Sequence, residues 1–79
     1  MNTDTAGTLG EIFRVVFNLP EGTDVRHFRQ GSQAEWDSLA HALLVAAIED
    51  EFGLGIDAAD SLDLTSFEAM QSYLEERRG

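Results

Sequence analysis

The chain has 79 residues, 15 acidic against 5 basic, a net charge of −10 and no cysteine. That bounds it to one small domain without disulfides or thiolate chemistry. All the basic residues are arginine, so Schiff-base chemistry is excluded, and a field of this sign repels nucleic acid and attracts basic partners.

The N-terminus lacks the basic start and apolar core of a secretory signal, and residues 1–6 read as a loose tail. The first helix is predicted from "TLGE", where Thr8 and Glu11 match a capping box. Leu9, Ile12, Phe13, Val16 and Phe17 follow the spacing of one helix face, and Pro20 with Gly22 end it. Leu19 to Trp36 then forms a long connection without a sustained period. Connections of that length are functional or packed by their own side chains, and Val25, Phe28 and Trp36 are the expected anchors.

The second helix is predicted over Ser38 to Phe52, with Asp37 as N-cap and Gly53 and Gly55 as the stop. Leu44, Val45, Ile48 and Phe52 supply its core face. Leu39, Ala42, Leu43 and Ala46 form a second apolar stripe, beyond what one core requires, and Glu49, Asp50 and Glu51 cluster at the far end. An exposed second stripe marks a surface for a partner. "IDAADSLDL" reads as a loop with one short helical turn. The last helix starts at "TSFE", with Thr65 and Glu68 as another capping box, Phe67, Met70 and Leu74 as its buried stripe, and Arg77 and Arg78 at its negative end. No apolar run reaches the roughly 20 residues that span a bilayer. The predicted fold is all-α: a small four-helix bundle, three main helices plus one short helix, with a long first loop, in a soluble cytoplasmic domain.

Three roles are open to Ser38. It can serve as a helix cap. Its hydroxyl can accept a modification, because a helix start suits a phosphate ester. It can be a nucleophile with His41, three residues on, as its base; that pairing lacks a third orienting group, an oxyanion hole and the strand–turn–helix elbow of hydrolases. His41 otherwise reads as a half-buried helix residue and His27 as a loop residue. Asp57, Asp60 and Asp63 do not match the ligand spacing of a calcium loop and are expected to cap turns and charge the surface; no metal site is expected.

"WDSLAHALLVAAIEDEFG" followed by "IDAADSLDLTSFEAMQSYL" resembles the acyl carrier proteins and the related peptidyl and aminoacyl carrier domains. The resemblance spans roughly Leu9 to Leu74. It implies that Ser38, flanked by Asp37, accepts 4′-phosphopantetheine from coenzyme A through a phosphopantetheinyl transferase. The arm's thiol then carries an acyl group as a thioester, and the absent cysteine has its explanation in an imported sulfur. The docking face implied is Trp36, Leu39, Ala42, Leu43, Ala46, Glu49, Asp50 and Glu51. It would meet acyl-loading, condensing or acyl-transfer enzymes with basic and apolar surfaces. The chain would be a monomeric carrier, with the chemistry left to its partners. Two departures stand out. Glu35 and Trp36 occupy the stretch where many relatives have glycine. Ala40 and Leu43 stand where fatty-acid carriers bear carboxylates. These lean towards a discrete carrier for a specialised acyl or polyketide-like pathway; an aminoacyl or peptidyl carrier, or an acidic interaction module without cargo, are the alternatives.

Overall fold

Helix α1 spans Thr5–Val16 in the computed structural model, which describes residues 5–78. It starts before the predicted Thr8 cap. Thr5 stands one turn ahead of Leu9 and is buried with Leu9, Ile12 and Phe13, so the apolar face carries the helix upstream. Thr5 and Ala6 therefore belong to α1 and not to a tail, while residues 1–4 lie outside the described residues. The stop also differs from expectation. Asn18 adopts a left-handed conformation with φ of 55°. Its N–H reaches the Val15 carbonyl at 3.2 Å, and the Leu19 N–H reaches that of Arg14 at 2.8 Å. This pair of bonds closes the helix at Asn18 before Pro20 and Gly22 act.

Helix α2 spans Ser38–Phe52, as predicted. Gly53, at φ of 66°, ends it. The short α3 covers Ala58–Asp63 and α4 covers Phe67–Arg78. The cap of α4 is one residue later than predicted: the Ser66 hydroxyl, not that of Thr65, accepts the Ala69 N–H at 3.0 Å. Thr65 is otherwise engaged, its carbonyl accepting the Gln30 N–H at 2.8 Å. Among the described residues there is no strand, only an isolated antiparallel bridge between Arg29 and Ser66. No described helix is long and apolar enough to cross a membrane.

The long loop is pinned as its apolar residues predict, with Val25, Phe28 and Trp36 all buried. Phe28 also accepts the Phe67 N–H through its carbonyl at 3.0 Å, which ties the loop to the start of α4. Phe13 is the hub. Its ring lies 5.2 Å from Phe67, 5.4 Å from Trp36 and 6.2 Å from Phe28, each nearly edge-on. Edge-to-face pairs at such separations add to the stabilisation from burial. Leu44 and Ile48 from α2 and Met70 and Leu74 from α4 are buried in the same core as Leu9 and Phe13 of α1.

Helix α3 is attached differently, since none of its residues is buried. The Tyr73 hydroxyl on α4 donates to Asp60 at 3.0 Å, and Arg77 approaches the same carboxylate at 3.5 Å while covering the Tyr73 ring at 3.9 Å. Removal from water, then the bond to Asp60, raise the Tyr73 pKa above its ordinary value of 10.0, with Arg77 opposing.

Phe13→Ala should cost about 3–5 kcal/mol in urea denaturation followed by far-UV circular dichroism, enough to unfold much of so small a domain. Tyr73 is the sole tyrosine, so absorbance titration reads it directly. Its midpoint should lie above 10 and fall in Asp60→Asn. Because the folded state holds this proton more tightly, its stabilisation is whole below the unfolded pKa and fades as pH rises past it; Tyr73→Phe should flatten the fall in stability above pH ~10.

Candidate functional site

The start of α2 gathers the residues singled out in the sequence. Asp37 adopts an extended conformation, and its Oδ1 accepts the Ala40 N–H at 2.9 Å. Its carbonyl accepts the His41 N–H at 2.9 Å. Asp37 is thus the cap. Ser38 is the first helical residue, exposed, and its hydroxyl does not cap the helix. The role of Ser38 as a mere cap is set aside by that geometry. Free N–H groups in the first turn and the positive end of the helix dipole favour an anionic ester at this position.

Trp36 is not on the surface. It is 3% exposed and packs edge-on against Phe13 and at a tilt against Phe17, so its expected docking role is corrected: the indole anchors the loop. Burial obliges its N–H to find a partner, and Nε1 donates to His41 Nδ1 at 3.1 Å. The indole has only a donor to offer, so Nδ1 must be the acceptor and the proton must be on Nε2. That nitrogen donates to the Ser61 carbonyl at 2.9 Å, with the Ser61 hydroxyl 3.3 Å away. Both imidazole nitrogens are committed, which leaves His41 no lone pair for Ser38. The chain Trp36–His41–Ser61 locks loop, α2 and α3 together.

The tripeptide Asp-Ser-Leu occurs twice, at Asp37–Leu39 and at Asp60–Leu62. The fold separates the two. Ser61 is half-buried within α3 and bonded to His41, whereas Ser38 is exposed at a helix start. Asp60 is engaged by Tyr73 and Arg77. Among the described residues no group of three or more His, Asp or Glu side chains converges as a metal would require.

The second apolar stripe is exposed. Leu39 is 70% and Leu43 49% exposed, with Ala42 and Ala46 exposed between and beyond them. Leu44 and Ile48 are buried, as expected, while Val45 and Phe52 are only half-buried at the flank of the core face. Ala40 is buried against the core, so it is no surface counterpart of a docking carboxylate. Glu49 also departs from its expected docking role. It is half-buried, and its Oε2 accepts the Ile56 N–H at 2.7 Å, fastening the chain that leaves α2. Asp50 and Glu51 are exposed. Sequence reasoning missed Leu62, which α3 leaves 76% exposed. The available signal was a leucine in a short turn with only the small Ala58 and Ala59 at helical spacing before it and the polar Thr65 and Ser66 after it.

A separate cleft of about 390 Å³ opens beside the first loop, lined by Arg26, His27, Arg29, Ser66 and Glu68. None of the expected site residues reaches it. Comparison with protein-family models, curated proteins and solved structures finds no match to this chain.

Asp37→Ala should lower stability by about 1 kcal/mol through loss of the cap. Ser38→Ala should stay within about 0.5 kcal/mol of the parent in the same urea series. Equal losses would show that Ser38 holds the helix start itself.

Proposed function

We propose that the protein is an acyl carrier protein, with Ser38 as the attachment point of a 4′-phosphopantetheine arm and the exposed stripe of α2 as the face that partner enzymes meet. The observation that carries this reading is the division of labour at the helix start: Asp37 does the capping and the Ser38 hydroxyl is exposed and uncommitted.

The residues present suit such an arm. Ser38 offers its oxygen at the rim of the molecule, and the Asp37 carboxylate, turned to the Ala40 N–H, is held in a fixed position beside it. A transferase would form the Ser38 Oγ–phosphorus bond as the diphosphate bridge of coenzyme A breaks. The hydroxyl proton passes to the transferase and the adenosine-bearing half leaves. When bound, the arm supplies the thiol that this chain lacks and carries an acyl group as its thioester. Leu39, Ala42, Leu43 and Ala46 then present an uncharged surface next to the tether, with Asp50 as the acidic end of that face, while Glu51 lies on the side of α2 that meets α1. His41 orients Trp36 and Ser61 and takes no part as a base, which favours a carrier over an enzyme. Work in a reducing cytoplasm suits the absence of cysteine. The uncharged first turns of α2 favour a discrete carrier of a specialised acyl pathway.

Incubation with a broad-specificity phosphopantetheinyl transferase, coenzyme A and magnesium should add the mass of one phosphopantetheine. Ser38→Ala should abolish the gain and Ser61→Ala should retain it. An unchanged mass beside a control carrier that is fully modified would overturn the reading.

A further inference from the structure

Helices α1 and α2 leave an apolar groove of about 360 Å³ between them, remote from Ser38. Ile12, Val15 and Val16 line it from α1, and Ala47 from α2. Ala47 is nine positions beyond Ser38, which turns it about half-way round the helix and carries it about 14 Å along the axis. The groove therefore belongs to another side of α2 than the tether.

Three observations define what fits it. Val15, at the lip, is 77% exposed, the most exposed large hydrophobic residue of the described chain. It gives a ridge that a small ligand cannot enclose, since small-molecule sites bury about 70–90% of their ligand. Each helix also contributes a carboxylate to the lining, Glu11 from α1 and Glu51 from α2. Arg14 offsets part of the Glu11 charge at 3.3 Å, whereas Glu51 has no ion pair among the described residues. Finally, a second copy of the chain would bring another −10 and two more carboxylates to the same rim, and like charge disfavours that pairing.

We infer that this groove is a second docking surface, which takes an amphipathic helix of a partner protein: apolar side chains laid along Val15 and Ala47, with arginine or lysine set against Glu51 and Glu11. Helix-in-groove recognition works through apolar anchors at helical spacing, and charge at the rim sets the partner's orientation. The surface does not depend on Ser38, so a partner held here leaves the α2 stripe open to a second protein.

The test uses the full chain and an amphipathic Leu/Arg peptide of about 16 residues, with a Leu/Gln peptide of the same pattern as control. Amide shifts in ¹H–¹⁵N spectra should change around Ile12, Val15, Val16 and Ala47, and the Leu/Gln peptide should bind several-fold more weakly. Val15→Asp and Glu51→Arg, both at exposed positions, should each weaken binding about tenfold, as loss of an interface anchor does, with thermal melting confirming that they fold. Ser38→Ala should bind as the parent does, which separates this surface from the carrier reading. Shifts centred on Leu39, Leu43 and Leu62, equal binding of the Leu/Gln peptide, or undiminished binding by both variants would each overturn the inference.

Discussion

The bond from the Ala40 N–H to Asp37 Oδ1 decides what Ser38 can be. A helix start leaves several N–H groups without partners, and a side-chain oxygen normally meets one of them. Had Ser38 met that need, its hydroxyl would have been spent on structure. Asp37 meets it one residue earlier, and Trp36, locked in the core just before, fixes where the cap falls. Burial of one indole thus sets the register of the helix, and the register leaves one hydroxyl free at the surface.

Helix α2 then divides its residues between two tasks. Leu44 and Ile48 face Phe13, Phe67 and the other core residues, while Leu39 and Leu43 face outwards. The outward face contributes nothing to the core, and a domain this small has little burial to spare. Its exposure is explained more readily by meeting other surfaces than by stability. Helix α3 follows the same economy, since polar links from His41, Tyr73 and Arg77 hold it where apolar burial does not.

Much of this was legible because it rests on periodicity. The four helices, the core face of α2, the Asp37 cap and the anchors of the long loop all follow from apolar spacing and short-range capping chemistry. The misreadings share a different origin. Thr8 and Thr65 are plausible caps by pattern, yet Thr5, buried one turn ahead of Leu9, carries α1 further upstream, and the Thr65 carbonyl is held by Gln30, a partner distant in sequence. The family resemblance implied Trp36 and Glu49 for the docking face, although the pattern of the long loop already marked Trp36 as an anchor. Their burial depends on His41 and on the Ile56 N–H, partners that no local pattern specifies. The repeated Asp-Ser-Leu shows the same limit, because only the fold distinguishes an exposed serine from one bound to an imidazole.

A carrier would do no chemistry with its own side chains; its structure would present a tether and let other proteins act. The most direct measurement of that claim is the intact mass of the protein isolated from the cells that make it, followed by peptide mapping. The account predicts added mass on the peptide that contains Ser38, as the bare arm or as arm plus cargo. A chain of unmodified mass, recovered from cells whose other carriers bear their arms, would contradict it.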